Sequence, residues 1–128
     1  VGGAVRDFLL HGTVADDLDF CVLGGKGAAE RLAKRVADVL DGRYVLLDAD
    51  FGIHRVVLFG PSGAVDGERE PQWSLDISDC LDDDLDTDLR RRDLTVNAMA
   101  VDLADGSLVD PLGGAADLQT RTVRMVSE

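Results

Sequence analysis

Asp17-Leu18-Asp19 is the segment of this chain whose residue types and spacing point most directly to chemistry. In an extended strand, residues two apart share one face, about 6.5–7 Å apart along the chain. Both carboxylates would then face one way, with Leu18 turned into a core. Two hard oxygen donors so placed suit a divalent cation. Mg2+ takes one or two carboxylates and fills its remaining positions with water and substrate phosphates. Two such ions about 3.5–4 Å apart activate an attacking hydroxyl and steady a leaving pyrophosphate. A D-x-D tripeptide alone is common, and taken alone it reads more readily as a solvated strand end.

Two other segments bear on that choice. Gly2-Gly3 is a turn signal before a short helix whose first backbone N–H groups would face an anion, and Arg6 on its first turn adds a donor suited to phosphate. Downstream, Asp88 to Ala100 (DLRRRDLTVNAMA) sets a dense cationic patch in an otherwise acidic chain. Arg90, Arg91 and Arg92 would fan around a helix, so they would not all face one ligand. Asp93 and Asn97, four apart, would share a face near the end of that helix, where such side chains read ribose hydroxyls. Spacing alone favours the plainer alternative for this patch, a solvated helix whose arginines balance the acidic run before it.

These residues must be carried by elements the hydrophobic pattern marks out. Ala4 to Leu10 reads as a short helix, and Leu18 to Leu23 as a strand broken by Gly24-Gly25. Ala29, Leu32, Ala33, Val36, Ala37 and Leu40 form one apolar face of the clearest helix, with Gly42 beyond its end. Tyr44 to Leu47, Ile53 to Phe59 and Trp73 to Ser78 read as strands, with a loop from Gly60 to Pro71. Five aspartates fill seven positions from Asp82 to Asp88, and a helix is expected from about Thr87. Ala98 to Leu103 and Leu108-Val109 make a hairpin around Asp105-Gly106, and a last helix starts near Ala115. Strands interleaved with helices indicate an α/β or α+β fold.

Composition narrows the class. The chain has 128 residues, 45% of them hydrophobic, which is enough for one domain with a real core. No apolar run approaches the ~18 residues of a membrane span. Cys21 and Cys80 are too few for a disulfide scaffold and lack zinc spacing, so a reducing cytosol is the default compartment. The net charge of −12 argues against this piece gripping nucleic acid by itself, since phosphate binding needs Lys and Arg. His11 and His54 are isolated and read as surface or strand residues. The aspartate run fails as a calcium loop, because Thr87 stands where Gly is needed and Asp93 where Glu is needed. The chain opens at Val1 without Met, and reads as a piece of something longer.

Taken together, G-G-x-V-R-D (Gly2 to Asp7), D-x-D (Asp17 to Asp19), R-R-D-L-T-x-N-A (Arg91 to Ala98) and D-P-L-x-G (Asp110 to Gly114) resemble the head domain of class II tRNA nucleotidyltransferases and bacterial poly(A) polymerases. The motifs run in that family's order and cover nearly the whole chain. The resemblance implies a polymerase-β-like nucleotidyltransferase palm: a mixed sheet with flanking helices, here without the usual strand before Val1. It implies Mg2+ on Asp17 and Asp19. Nucleotide contacts are implied from Gly3, Arg6 and Arg92, with Gly2 shaping the turn. Arg91, Asp93 and Asn97 follow as weaker candidates, Asp93 near the ribose. Superfamily enzymes usually add a third carboxylate from a neighbouring strand. Asp76 in WSLDIS matches best, because alternation sets it opposite Leu75 and Ile77. The family's usual phenylalanine after R-R-D is Leu94 here.

The implied reaction is attack of an RNA 3′-hydroxyl on the α-phosphorus of CTP or ATP, giving CCA at tRNA ends. Poly(A) addition and A-only or CC-only addition are alternatives, because base choice and the RNA-holding helical body are expected beyond Glu128. A catalytically silent nucleotide- or metal-binding module is the rival of another class, and the intact Asp17 and Asp19 count against it. A non-enzymatic acidic interaction domain would leave Gly2-Gly3 and the arginines unexplained.

Overall fold

A computed structural model of the chain describes residues 1–61 and 69–126. The elements in order are α1 (Gly3–His11), β1 (Asp17–Val22), α2 (Ala28–Val39), β2 (Arg43–Asp48), β3 (Ile53–Phe59), β4 (Pro71–Asp79), α3 (Leu85–Arg90), β5 (Ala100–Val101), β6 (Leu108–Val109) and α4 (Gly114–Thr120). Short 3-10 turns lie at Leu81–Asp83 and Thr95–Asn97. Most of the expected loop between Gly60 and Pro71, residues 62–68, lies outside the described residues. The chain divides into two compact units, Asp16–Asp79 and Val1–Ala15 with Cys80–Glu128.

In the unit Asp16–Asp79, four strands form a mixed sheet in the order β1-β4-β3-β2. β1 runs parallel to β4, and the other two pairings are antiparallel. The α2 helix covers one face. Its Ala29, Ala33 and Ala37, spaced four apart, are buried against Val56 and Ile77, with Phe20, Leu58 and Leu75 around them. Methyl side chains let a helix lie close on a sheet, so the buried stripe is narrower than the expected apolar face. Leu32, on the flank of the stripe, stays 40% exposed, and Leu40, past the last turn, 52% exposed. The buried His54 sits on this same core face, with Nδ1 2.9 Å from the Tyr44 hydroxyl. At the end of β4 the Asp79 carboxylate accepts from the N–H groups of Gly27 (2.6 Å) and Ala29 (2.7 Å), capping the head of α2.

The second unit packs α1, α3, α4 and the β5–β6 hairpin around Leu89, Ala98 and Ala100. Its D-P-L-x-G segment is scaffold. Asp110 accepts from Gly114 N–H (2.7 Å) and Ala115 N–H (2.9 Å), which starts α4. A Cβ on Gly114 would run into the Thr95 carbonyl and Met99, so only glycine lets α4 approach the Thr95–Asn97 turn this closely. The buried Asp117 on α4 accepts from Thr95 Oγ1 at 2.6 Å and pairs with Arg124. Arg124, and Thr95 after it, hold the Asp117 carboxyl below the usual carboxylate range.

The helix expected from Thr87 through Asn97 is shorter and starts earlier. Asp84 accepts from the Thr87 N–H (3.0 Å) and hydroxyl (2.6 Å), so α3 begins at Leu85. It ends at Arg90, because the Arg91 and Arg92 amides fold back on the Asp88 and Leu89 carbonyls. Leu94 then pairs with Met125 in an antiparallel bridge. Arg91, Arg92 and Asp93 therefore lie in the turn after the helix, and Asn97 in a separate 3-10 turn.

Candidate active site

The acidic face belongs to the unit Asp16–Asp79. Period-2 alternation in β1 leaves Asp17 and Asp19 exposed on one side, with Leu18 and Phe20 half-buried on the other. The parallel register sets Asp19 beside Asp76 and Asp17 beside Ser74. Asp76 alternates with Leu75 and the buried Ile77, as the pattern of β4 predicts, so it shares the face of Asp19. Asp17, Asp19 and Asp76 therefore meet on the sheet face opposite α2.

That face also holds a residue that sequence reasoning missed. Arg55 on β3 stands level with Asp76 and grips it with both arms of the fork. Its Nε donates to Oδ1 (2.7 Å) and its Nη2 to Oδ2 (2.8 Å). The Asp76 carboxylate, and then the charges of Asp17 and Asp19, raise the guanidinium's pKa above the ordinary arginine value. Only the alternation of Ile53–Phe59, which turns Arg55 away from the core residues His54 and Val56, could have marked it.

The second cluster belongs to the unit of Val1–Ala15 and Cys80–Glu128. Gly2 takes φ 73° and ψ −140°, a conformation open to glycine and strained for other residues. Its N–H donates to the Met99 carbonyl (3.0 Å), while its own carbonyl accepts from Val5 (3.1 Å) and Arg6 (3.2 Å). The positive φ thus falls on Gly2 and not on Gly3. Gly3 is confined by a neighbour instead, since a Cβ there would lie 3.3 Å from Arg6 Nη2. The Gly3 and Ala4 amides head the nine-residue α1, where helix geometry gives them no acceptor.

Arg6 links the motifs of this unit. Its Nη1 donates to Asn97 Oδ1 (2.7 Å) and its Nε to Asp7 Oδ1 (2.8 Å). Asn97 Nδ2 in turn donates to Asp93 Oδ1 at 3.4 Å, so these two meet as expected, though across a turn and not along one helix. The Leu94 N–H also donates to Asp93 Oδ1 (2.8 Å). That backbone donor first, then Asn97, lowers the Asp93 pKa. Arg92 Nη2 donates to Asp88 at 3.3 Å, while its buried Nε has no acceptor among the described residues. Arg91 is exposed at the end of α3 and joins none of these bonds. Arg90 pairs with Asp86 at 2.6 Å, one helical turn back, so the balancing role suggested by spacing applies to Arg90 and in part to Arg92.

The chain belongs to the Poly A polymerase head domain family, whose pattern it matches over residues 1–124. It is 41% identical over 127 residues to the CC-adding tRNA nucleotidyltransferase of Geobacter sulfurreducens, covering 99% of this chain and 26% of that protein. Against the A-adding tRNA nucleotidyltransferase of Deinococcus radiodurans it is 42% identical, with 100% and 25% covered. The CCA-adding enzyme of Bacillus subtilis is 35% identical, with 100% and 31% covered. A solved tRNA-processing enzyme with CTP superposes with a TM-score of 0.78 at 32% identity, over 99% of this chain and 32% of that one. The Bacillus stearothermophilus CCA-adding enzyme in complex with CTP gives 0.61 at 27% identity, over 100% and 29%. The chain thus spans about a quarter to a third of the length of the relatives it matches. No helix among the described residues is long and apolar enough to cross a membrane.

Proposed function

We propose that this chain is one domain, the catalytic head of a cytoplasmic, template-independent RNA nucleotidyltransferase that adds CMP and AMP from CTP and ATP to the 3′ end of tRNA. The observation that carries the reading is the register of β1 with β4, which sets Asp76 beside Asp19 on the face that already holds Asp17. Carboxylate oxygens on an exposed face are the donor set Mg2+ takes. Asp17 and Asp19 would hold the ion, with Asp76 as the third carboxylate. Bound there, Mg2+ would neutralise charge on the nucleotide phosphates.

The chain's own groups position the nucleotide. The Gly3 amide and Arg6, held in place by the Gly2 turn, face anionic oxygens, and the half-buried Arg92 guanidinium, bonded to Asp88 through Nη2 at 3.3 Å, adds a donor for a phosphate oxygen. Asp93 and Asn97, already joined to Arg6 through one network, are placed to orient a ribose. Arg91 adds charge at the surface. Catalysis on this reading is orientation plus electrostatic stabilisation. The test is Asp17→Ala and Asp19→Ala in an enzyme that carries this head. Each should lower CMP transfer to tRNA by about a thousandfold or more while leaving the thermal midpoint unchanged. Turnover near the parent rate in either variant reassigns the site.

A second reading is addition of only A or only CC, since A-adding and CC-adding relatives match at 42% and 41% identity, level with the 41% of a multifunctional CCA protein. Supplying CTP alone, ATP alone and both together separates the readings by the length and sequence of the added tail.

A further inference from the structure

Arg55 stands on the acidic face in contact with Asp76, and the nucleotidyl-transfer reading gives it no role. A bidentate guanidinium–carboxylate pair fixes both groups in geometry and not merely in charge. Here the pair engages both oxygens of Asp76, with Nε to Oδ1 at 2.7 Å and Nη2 to Oδ2 at 2.8 Å. The side chains are only 34% and 21% exposed, so water screens the pair less than it would at a free surface. Asp76 is also the strand neighbour of Asp19, and the charges of Asp17 and Asp19 both bear on the guanidinium. Asp17, Asp19 and Asp76 are therefore grouped with the Arg55 guanidinium on this face.

We propose that Arg55 is the resident counter-charge of the acidic face: it neutralises Asp76 and thereby sets, and holds down, the divalent-cation affinity of Asp17 and Asp19. The proposal rests on the reading of Asp17 and Asp19 as cation ligands. Asp17 and Asp19 are the carboxylates read as ligands, which matches the one or two that Mg2+ takes while keeping positions for phosphates. Without the guanidinium, the negative charge of Asp76 would bear on the ion position uncompensated by Arg55. Such a face would grip a divalent ion tightly even without nucleotide. With Arg55 present, tight binding waits for the negative charge that a triphosphate brings. Arg55 is on this account a positioning residue, acting through Asp76 and the field at the pair.

The experiment titrates the 128-residue chain with Mn2+ alone, read by the electron paramagnetic resonance signal of the free ion, for the parent, Arg55→Gln, Arg55→Lys and Asp17→Asn. Even at water's dielectric constant, a unit charge about 6 Å from a divalent ion alters its affinity about tenfold. Arg55→Gln keeps a hydrogen-bonding arm for Asp76 and removes the charge, so Mn2+ should bind at least about tenfold tighter. Arg55→Lys keeps the charge and should stay within about threefold of the parent. Unchanged or weaker binding in Arg55→Gln, with circular dichroism matching the parent, overturns the proposal. Lys and Gln variants that shift together overturn it too, because charge would then not be the cause. Should Asp17→Asn bind Mn2+ as the parent does, the reading of the cation pair fails, and the counter-charge role falls with it. Loss of binding in Asp17→Asn with no tightening in Arg55→Gln leaves that reading standing and removes the role of Arg55 alone.

Discussion

Arg6 and Asn97, ninety-one positions apart, are joined by a 2.7 Å hydrogen bond from Nη1 to Oδ1. The bond ties the first motif of the chain to the last residue of the Thr95–Asn97 turn. Through the Asn97 amide nitrogen it reaches Asp93 as well. One neutral side chain therefore orients a cation and an anion at once.

Asn97→Ala should release both groups. CTP affinity is expected to fall about tenfold, the equivalent of one charge-assisted hydrogen bond. Asn97→Asp should separate the two halves of the bridge, since it still accepts from Arg6 but repels Asp93. Isothermal titration of each variant with CTP and Mg2+ checks this, and an unaltered affinity in Asn97→Ala would reduce the bridge to a structural tie.

Gly3→Ala should weaken nucleotide binding with little change in stability. Gly3 carries no positive φ, and the atoms nearest the added Cβ belong to the Arg6 guanidinium, Nη2 first at 3.3 Å, the far end of a flexible side chain. The guanidinium moves and the backbone does not. Gly2→Ala should behave oppositely, with a fall in thermal midpoint, because its φ of 73° strains any residue with a Cβ. Comparing melting curves with CTP titrations for the pair separates a binding position from a turn position.

Gly114→Ala should destabilise the chain by about 1–3 kcal/mol, near the upper end, because the new methyl meets the Thr95 carbonyl, which is backbone and cannot rotate away. Urea unfolding gives the difference directly. A change below about 0.5 kcal/mol would mean that α4 can shift at small cost.

Stability should fall on the acid side through Asp117. Its folded pKa lies below the ordinary 3.8, so the carboxylate stabilises the fold at pH values above its unfolded pKa. That contribution is lost as pH falls from about 4 through the folded value. Asp117→Asn should therefore show a shallower loss of thermal midpoint between about pH 5 and 3 than the parent. Parallel curves would take Asp117 out of the account.

The chain by itself should bind tRNA poorly and transfer nothing to it. A net charge of −12 repels a polyanion, Arg90 is committed to Asp86, and Arg92 is assigned to the nucleotide. Filter binding at low salt checks the first point, and salt-sensitive tight binding would contradict it. Assays with CTP and ATP check the second. Selective CTP incorporation would place base choice within these residues.

What could be read in the sequence was local in origin. The strand Ile53–Phe59 and the alternation that pairs Asp17 with Asp19 follow from periods of two, and α2 follows from a period near four. The end of α3 could not be read that way. It depends on Asp93 capturing the Leu94 amide and on Leu94 pairing with Met125, thirty-one positions on by numbering. Arg55 was hidden for the same reason, because its partner is set by antiparallel register across twenty-one positions. Gly114 reads as a turn glycine, and its actual constraint is the carbonyl of Thr95. Motif order carried the rest: Asp76 became a candidate through the resemblance, and alternation only said which way it faces.

The Asp79 cap on α2 has a bearing on how this chain can vary. Asp79 lies three positions after Asp76 on the same strand, and both of its oxygens are anchored to the amides of Gly27 and Ala29. A one-residue slip of β4 would turn every side chain of that strand to the opposite face, carrying Asp76 into the apolar layer under α2. Pulling Asp79 off its amides opposes that slip. The strand is thus moored downstream of its carboxylate, at the head of α2. Asp79→Ala should therefore loosen the register of β4, and with it the placement of Asp76, besides uncapping α2.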